Sequence, residues 1–411
     1  MSALDVTDPA DAPTGAAPPS VRGHRRPRLV HLTTTDMSLD WLLGPQLHAF
    51  GAAGYEVIGV SAAGAHVEAI EAAGVRHVAL RHATRAMAVG DDARALAELF
   101  GVLKRLRPDI VHTHNPKPGV YGRIAARAAR VPVVVNTQHG LYALPEDRIA
   151  KRAVVYSLER MAAACSQREL VQNPDDVVTL RRLAVPDTRL VTLGNGVDLT
   201  RFDPTAVAPG GRERFRSEIG AGADDVVVGL VGRLVAEKGY REVFEAAAIV
   251  HAADPQVRFV VIGPSDPDKA DGITDDEVAA ASRDGGLVFL GRRDDVDDWY
   301  AAMDVYLLAS HREGFPRSAM EAAAMGLPLI TTDVRGCRNV VDHDRTGLLV
   351  PVRDARAIAA AVLELAADPD RRRELGAASR AKAEREFDQE RVISITLGVY
   401  KDLLANSSSG L

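Results

Sequence analysis

Residues 225–239 read DVVVGLVGRLVAEKG, and this stretch decides the fold. It opens with a short run of apolar, largely β-branched residues, which is typical of a buried strand. Gly232 then allows the chain to turn, Arg233 and Lys238 follow in one loop, and a helix is predicted from about Gly239. A strand that leads directly into a helix is the repeating unit of a parallel sheet.

The same alternation of short β-rich runs and helical stretches extends in both directions along the chain. In the N-terminal half we predict strands at 28–33, 55–61, 75–80, 109–113, 132–136, 169–172 and 189–193. The pattern restarts with predicted strands at 225–231, 257–262, 287–290, 305–308, 328–331 and 348–350. This alternation predicts an α/β protein with two doubly wound, Rossmann-like domains, each a parallel sheet covered by helices on both faces.

A segment without clear periodicity, residues 194–209, separates the two sets of strands and is rich in Gly, Asp and Pro. We place the domain boundary there, which gives an N-terminal domain at 28–195 and a C-terminal domain at 196–386. A final helix is predicted at 387–405, and residues 1–27 are predicted to be a disordered leader, because most of them are Ala, Pro, Asp or other small polar residues. Ligands of doubly wound sheets bind at the carboxyl ends of the strands, so we expect the two domains to face each other across a cleft.

Composition and charge argue against several classes of protein. The 411 residues carry a formal net charge of -6, which disfavours a nucleic-acid-binding protein that relies on bulk charge. Two distant cysteines, Cys165 and Cys337, predict neither a disulfide framework nor a zinc site, as expected in a reducing compartment. No apolar run approaches the roughly 20 residues that span a bilayer, and the N-terminus lacks the apolar core of a secretory signal. The basic run at 22–28 leaves two interpretations open, contact with anionic lipid or a solvated leader.

The loop at 232–239 carries the first candidate chemistry. Two cations, Arg233 and Lys238, lie close in sequence to the positive end of the helix that follows. Together they form a candidate site for a diphosphate. A turn with ordinary surface charges would give the same local pattern.

A second loop, SHREGFPRSAME at 310–321, follows the predicted strand at 305–308. Pro316 suits the first position of the next helix, with Glu313 before that helix and Glu321 within it. A carboxylate is a good acceptor for two vicinal hydroxyls, such as those of a ribose or a hexose. The alternative is that Glu321 caps local structure and that Glu313 is solvated.

Together the two loops resemble glycosyltransferase family 4, a large group of retaining enzymes with the GT-B fold. The resemblance extends along most of residues 28–405. LGNGVDLTRFDP at 193–204 resembles the segment that opens the second domain of the family. THNPKPGVYGRIAA at 113–126 and VPVVVNTQHG at 131–140 resemble the first domain of bacterial members that build surface polysaccharides. FDQERVISITLGVYKDLL at 387–404 looks like the final helix, which crosses back to the first domain.

The resemblance implies a role for each matching residue. Arg233 and Lys238 match the basic pair that holds the donor diphosphate and steadies it as it leaves. Glu321 matches the glutamate that binds the donor ribose, and Glu313 matches the one beside the transferred sugar. His139 matches a first-domain histidine near the sugar and the reacting centre. The other donor-binding candidates are Gly232 and, through their backbone, Gly314, Phe315 and Pro316.

The implied activity is retaining transfer of a hexose or N-acetylhexosamine from a nucleotide sugar, with a UDP-sugar as the expected donor. The acceptor would be a saccharide or a polyprenyl-linked saccharide in the synthesis of a surface polysaccharide or glycoconjugate. Departure of the diphosphate develops oxocarbenium character on the sugar and negative charge on the leaving group. Arg233, Lys238 and helix dipoles can absorb that charge without a metal or another cofactor. The family typically uses a front-face route in which the departing phosphate oxygen helps to deprotonate the acceptor, so we name no protein nucleophile.

The N-terminal domain is assigned to the acceptor and the C-terminal domain to the nucleotide sugar. Many members of the family have a Gly-Gly pair after the first strand, whereas this chain has TTTDMS at 33–38, so contacts from hydroxyl groups or from Asp36 are expected instead. His112 and His114 share one face of a strand end, where packing or hydrogen bonding explains them as well as contact with an acceptor does. The acceptor-side candidates are Asp36, Ser38, His114 and Lys117.

A lipid-linked acceptor would place the chain in the cytoplasm, at the inner face of the cell membrane. First-domain cations that could meet anionic lipid or an anionic acceptor are Arg81, Arg85, Lys151 and Arg152, although ordinary surface charge would look the same. Asp295 and Asp297 form an Asp-x-Asp pattern that holds a metal in a different transferase fold. We interpret them here as the start of a helix, where acidic residues are favoured.

Two other functional classes stay open at the level of sequence. Nucleotide-sugar 2-epimerases share the fold, but they are not expected to combine the two loops quoted above. A non-catalytic nucleotide-sugar-binding protein would be favoured by a change at Arg233, Lys238 or Glu321, and all three are intact.

Overall fold

The structure, a computed structural model, describes residues 25–82, 89–114, 116–143, 147–266, 269 and 271–408. The predicted leader up to residue 24 and the candidate cation Arg85 lie outside these residues. Contacts within the chain divide it into two compact units. Unit 1 comprises Met1–Leu193 and Arg391–Leu411, and unit 2 comprises Gly194–Glu390.

Strands and helices alternate along almost the whole described chain. The strands are β1 (Arg28–Thr35), β2 (Glu56–Ala62), β3 (Arg76–Ala79), β4 (Ile110–His114), β5 (Val133–Gln138), β6 (Arg168–Val171), β7 (Leu190–Thr192), β8 (Val226–Val231), β9 (Val257–Ile262), β10 (Leu287–Gly291), β11 (Val305–Leu308), β12 (Leu329–Thr332) and β13 (Gly347–Val350). The α-helices are α1 (Gly44–Ala52), α2 (Val67–Ala72), α3 (Val89–Leu106), α4 (Pro116–Ala128), α5 (Ile149–Ala163), α6 (Pro174–Arg182), α7 (Gly211–Glu218), α8 (Tyr240–Ala253), α9 (Asp275–Gly285), α10 (Val296–Ala302), α11 (Arg317–Ala324), α12 (Arg335–Arg338), α13 (Ala355–Ala367), α14 (Pro369–Glu386) and α15 (Gln389–Ser408).

Unit 1 contains a seven-stranded sheet in the order β3-β2-β1-β4-β5-β6-β7, in which all the pairs are parallel. Alternate residues of each strand point to opposite faces, so Leu29 and Val30 of β1 enter two different apolar layers. Helix α15 packs in the first layer, where Tyr400 is fully buried. The strand order reverses between β1 and β4, which is the point where doubly wound sheets bind ligands.

Unit 2 contains a six-stranded sheet in the order β10-β9-β8-β11-β12-β13, again with parallel pairs. Its two apolar layers contain Val228 and Val227 of β8 respectively, so this central strand is covered on both faces. The order reverses between β8 and β11. The carboxyl ends of these two strands therefore carry the loops at 232–239 and 310–321.

The structure confirms the α/β doubly wound architecture and all thirteen predicted strands, with ends that shift by at most two residues. One local difference lies in the segment at 33–38, which was predicted to be a loop after the first strand. β1 continues to Thr35, and a helical segment that includes a π-helix at Ser38–Leu42 follows at once. Both cysteines are free. Among the helices of the described residues, none has the length and apolar character needed to cross a bilayer.

Candidate functional site

The loop after β8 presents Arg233 and Lys238 at the carboxyl end of the unit 2 sheet. A 3-10 helix at Ala236–Lys238 leads to Gly239, which has a φ of +76° and caps α8. A Cβ atom at Gly239 would collide with the backbone of Ala309 at the end of β11, so the close approach of the two loops requires glycine there. The Tyr240 hydroxyl donates to the Gly232 carbonyl at 2.9 Å and holds the start of the loop.

Each of the two loop cations contacts a carboxylate. Lys238 Nζ lies 2.5 Å from Glu313 Oε1, and the same oxygen accepts from the Ser310 hydroxyl at 2.7 Å. Arg233 Nη1 lies 2.6 Å from Asp266 Oδ2, and the Arg233 side chain is 42% exposed. Both cations are thus held at the strand ends, and a phosphate group could replace either carboxylate as their anionic partner.

Glu321 lies in α11 and is 9% exposed. Arg317 Nε donates to Glu321 Oε1 at 3.0 Å, and the Tyr300 hydroxyl donates to Oε2, also at 3.0 Å. Burial raises the pKa of Glu321, and Arg317 with Tyr300 opposes that shift. These two partners fix the orientation of the carboxylate, which lies in the middle of α11.

The turn between Glu313 and α11 is fixed by backbone packing. Pro316 is the N-cap residue, so α11 begins at Arg317, one residue later than the sequence predicted. The Phe315 ring packs edge-on against Phe387 with 5.9 Å between the centroids. A Cβ atom at Gly336 would lie only 2.7 Å from the Gly314 carbonyl oxygen. Helix α12 can therefore pack directly against the turn only because it has glycine at this position.

In unit 1, His139 directly follows β5 and belongs to a chain of hydrogen-bonded side chains. Its Nε2 lies 3.1 Å from His114 Nδ1, and its Nδ1 lies 3.1 Å from Gln172 Oε1. His114 Nε2 lies 2.9 Å from His31 Nδ1. Burial lowers the pKa of His139 to about 4 and that of His31 to about 3, so both rings are neutral at neutral pH.

The other acceptor-side candidates also have protein partners. Asp36 Oδ1 accepts from the Met37 amide at 2.9 Å, and Oδ2 accepts from the His66 amide at 2.8 Å. Ser38 Oγ lies 3.4 Å from Thr35 Oγ1. The fourth candidate, in α4, forms a salt bridge: Lys117 Nζ lies 2.6 Å from Asp92 Oδ1. His114 is buried within the histidine chain, which is the packed and hydrogen-bonded alternative left open for it above.

The Asp-x-Asp pattern has the structural role that its sequence context predicted. Asp295 is the N-cap residue of α10 and pairs with Arg293 through two hydrogen bonds of 2.8 and 2.6 Å. Asp297 pairs with Arg201 at 2.6 Å. Both carboxylates therefore neutralise arginines.

A cavity of about 670 Å³ in unit 1 lies away from these residues. Glu56 and Arg76, the first residues of β2 and β3, line it. It therefore lies at the amino end of the sheet, whereas ligands of this architecture bind at the carboxyl end.

Sequence reasoning missed the partners that orient the candidate residues. In unit 1, His31 pairs with His114 and Gln172 pairs with His139. In unit 2, Asp266 pairs with Arg233, while Arg317 and Tyr300 both pair with Glu321. The i,i+4 spacing of Arg317 and Glu321 on one helix was the one local signal available. The other pairs join segments at least 21 residues apart in the chain.

Comparison with known proteins gives matches in both units. Residues 225–368 match the family described as "Glycosyl transferases group 1", and residues 43–196 match the "Glycosyl transferase 4-like domain". The UDP-Gal:alpha-D-GlcNAc-diphosphoundecaprenol alpha-1,3-galactosyltransferase of Escherichia coli is 31% identical over 280 residues, which cover 67% of this chain and 71% of the relative. A D-inositol 3-phosphate glycosyltransferase of Xylanimonas cellulosilytica is 32% identical over 71% of each chain.

Solved structures give the same architecture at lower sequence identity. Anabaena HepE, solved in complex with UDP and glucose, superimposes with a TM-score of 0.76 and 18% identity, over 90% of this chain and 98% of its own. This likeness shows the GT-B fold. The epimerase and the non-catalytic alternatives find no support among these relatives.

Proposed function

This chain belongs to glycosyltransferase family 4, and we propose from that premise that it moves a hexose or N-acetylhexosamine from a UDP-sugar, with retention, to a polyprenyl-diphosphate-linked saccharide. The E. coli relative acts, by its name, on UDP-Gal and a GlcNAc-diphosphoundecaprenol acceptor. Under this proposal, unit 2 binds the nucleotide sugar and unit 1 meets the acceptor. The reaction would serve the synthesis of a surface polysaccharide or glycoconjugate.

The observation that carries the proposal is the arrangement at the carboxyl ends of β8 and β11. Arg233 and Lys238 lie in one loop beside the N-terminus of α8, and each is paired with a carboxylate. A diphosphate carries the charge needed to take over both cations and to accept from the helix N-terminus. Glu313, released from Lys238, would then accept from a hydroxyl of the transferred sugar.

Glu321 supplies the second recognition element. Its carboxylate is nearly buried, and its orientation is fixed by Arg317 and Tyr300. A carboxylate in this position can accept from the two vicinal hydroxyls of a ribose. It would discriminate against a donor that lacks them, because Arg317 and Tyr300 each use one lone pair of the carboxylate and the remaining lone pairs would then receive no hydrogen bond from the donor.

The chemistry requires stabilisation of a leaving diphosphate as oxocarbenium character develops on the sugar. Arg233, Lys238 and the α8 dipole provide positive charge that is already in place before the reaction. We therefore propose that transfer requires no metal ion. We also propose that Gly232 and the backbone of Gly314, Phe315 and Pro316 bind the donor in unit 2. In unit 1, His139 is proposed to contact the transferred sugar, and Ser38 and Lys117 are proposed for the acceptor side.

We further propose that α5 rests on an anionic membrane where a lipid-linked acceptor is anchored. Ile149, Val154 and Met161 on this helix are 81%, 58% and 50% exposed, although they are apolar. Lys151 lies 5.0 Å from the Tyr142 ring centroid, and Tyr142 is itself half exposed. Exposed apolar side chains among basic residues are typical of a helix that lies in the membrane interface.

The membrane contact is tested by flotation with vesicles of phosphatidylglycerol and with vesicles of phosphatidylcholine. We expect binding to the anionic vesicles and loss of it in Ile149→Glu with Val154→Glu. Equal flotation of this double variant and the wild type would refute the assignment of α5.

The donor site is tested by thermal shift with UDP-, GDP-, ADP- and dTDP-sugars, each with and without chelator. A ligand present at about 100 times its Kd should add about 2.7 kcal/mol to stability. We expect a chelator-insensitive shift with UDP-sugars that is lost in Glu321→Ala and kept in Glu374→Ala, a matched change at an exposed glutamate of the same unit. No shift with any nucleotide sugar, or equal shifts in both variants, would refute the donor site.

The acceptor is tested in a transfer assay with a GlcNAc-diphospho-lipid analogue and with D-inositol 3-phosphate, the acceptor named for the second relative. Mass spectrometry identifies the glycosylated product and NMR identifies its anomer. Transfer to the lipid analogue with retention supports the proposal. Transfer to inositol phosphate alone would overturn the acceptor class while leaving the donor site intact.

A further inference from the structure

Three histidines come together in unit 1 because of strand register. His112 and His114 are two residues apart on β4 and therefore point to the same face of the sheet. His31 of β1 is the register partner of His112. The rings of His112 and His31 therefore both stack on that of His114, with centroid distances of 4.2 Å and 5.2 Å respectively.

The hydrogen bonds made by this cluster run sideways across the sheet. The chain starts with His31 on β1 and continues with His114 on β4. His139 follows directly after β5, and Gln172 follows directly after β6. These four strands are consecutive neighbours in the sheet. The three links of the chain are 2.9, 3.1 and 3.1 Å long. The chain therefore begins at His31 in the buried centre of unit 1 and ends at Gln172, directly after β6, with His139 as its last ring.

One arrangement of protons satisfies the chain. Gln172 presents its carbonyl oxygen to His139, so His139 Nδ1 must carry the proton. In the neutral ring Nε2 then accepts, which requires a proton on Nδ1 of His114, and the same logic requires one on Nδ1 of His31. The series ends at His31 Nε2, which is the one ring nitrogen of the chain without a partner. The reverse order would bury an N–H donor there with nothing to accept from it.

Ring geometry argues against a metal ion at the same cluster. Candidate ligand nitrogens of His31, His112 and His114 lie within 4.8 Å of one another. The rings of His31 and His114 are within 18° of parallel and those of His112 and His114 within 29°, so their in-plane lone pairs do not converge on one point. His112 is also engaged elsewhere, with the Tyr400 hydroxyl and with Thr137 Oγ1 at 2.7 Å.

We propose that His31, His114 and Gln172 are positioning residues that hold His139 neutral, in one ring orientation and with its proton on Nδ1. This inference rests on the proposed function, in which His139 lines the site of the transferred sugar. It limits what His139 can do there. With its Nδ1 proton directed to Gln172 and its Nε2 lone pair accepting from His114, the ring meets the substrate through its carbon edge or its face, and it carries no positive charge to stabilise a leaving group.

The chain is insulated from charge, as the proposal requires. Burial is the main cause of the lowered pKa values of His112, His114 and His139; other histidines of the cluster lower the first two further, and the hydrogen bond to Gln172 opposes the shift of His139. Tyr400 of α15 is the titratable group that faces the cluster from outside the sheet, and burial raises its pKa, so it stays neutral as well.

The direct test is NMR of the full chain labelled with 15N in histidine, at pH 7, with resonances assigned through single substitutions. We expect His31, His114 and His139 all to be neutral with the proton on Nδ1. An imidazolium, or a proton on Nε2, at any of the three refutes the proposal. This readout does not depend on activity, so it still decides the proposal if the protein proves to transfer no sugar.

The functional arm compares His114→Asn with His112→Asn, a change of the same kind at a buried histidine two residues away that is outside the chain. We expect His114→Asn to lower kcat by roughly 10- to 100-fold with little change in KM for the donor, because His139 loses its orientation. We also expect the His139 signal to become a mixture of tautomers in this variant and to keep its proton on Nδ1 in His112→Asn. Equal effects of both variants on kcat and on the His139 signal would reduce His114 to a packing role and overturn the proposal.

Discussion

Because its buried histidines have lowered pKa values, we expect the free energy of unfolding of unit 1 to fall in mild acid. The pKa of His31 is lowered to about 3 and that of His139 to about 4, against 6.5 for an exposed histidine. Between these values the unfolded chain binds protons that the folded chain does not. The stabilising contribution is therefore complete above pH 6.5 and is lost as the pH falls toward the folded-state values.

The magnitude follows from linkage. Moving from pH 8 to pH 5 costs about 2 kcal/mol for a group with a pKa of about 3 in the folded state, and about the same for one with a pKa of about 4. His31 and His139 together thus remove about 4 kcal/mol, a large part of the 5–15 kcal/mol that typically holds a domain together. Burial also lowers the pKa of His112 and of His114, which adds to the loss.

The assay is urea unfolding at pH 8 and at pH 5, followed by pulsed hydrogen exchange with mass spectrometry, so that peptides of the two units are scored separately. Unit 2 is the internal control, because none of the histidines in its described residues is buried. The variant His31→Phe should reduce the acid loss of unit 1 by about 2 kcal/mol. The phenylalanine ring can take the place of the His31 ring, which stacks on Phe50 with 5.4 Å between the centroids. Any packing strain would change the unfolding free energy equally at both pH values.

Two results would refute this reasoning. The first is an unfolding free energy of unit 1 that is the same at pH 8 and pH 5. The second is an acid loss of unchanged size in His31→Phe, which would mean that other groups cause it.

Three further predictions concern the loops of unit 2 at 232–239 and 310–321 and the histidine chain of unit 1. Asp266→Asn should tighten UDP binding by up to about fivefold in calorimetry, because it frees Arg233 from a partly exposed ion pair worth about 0.2–1 kcal/mol; unchanged or weaker binding would contradict this. Gln172→Glu should raise the pKa of His139 from about 4, because a carboxylate stabilises the imidazolium, and the ring should then titrate at higher pH by NMR; an unaltered titration would show that Gln172 does not control the ring. Gly239→Ala should destabilise unit 2 by about 1–3 kcal/mol in urea unfolding, since it adds both a backbone clash and a positive φ; a loss below that range would show that the two loops can move apart.

The sequence by itself determined the architecture, and it was enough to select the two loops that we propose as the donor site. Most strands contain a short apolar run, and turn residues separate them from the helices, so the alternation could be counted along the chain without knowledge of any contact. Arg233, Lys238, Glu313 and Glu321 could be chosen because their loops follow two strands directly. In a parallel sheet, adjacent strand ends converge by construction.

Apart from Arg317, which lies one helical turn before Glu321, the side chains that orient those residues were decided by the tertiary structure alone. The pairing of Asp266 with Arg233 joins positions 33 residues apart, and that of Tyr300 with Glu321 joins positions 21 apart. Such partners have no local periodicity, because they depend on strand order and on helix packing. The histidine chain is the clearest example, since it exists only because β1, β4, β5 and β6 are neighbours in the sheet. The sequence fixes on which face of its strand a histidine lies, but the partner across the sheet, and with it the position of the proton, depends on strand order and register.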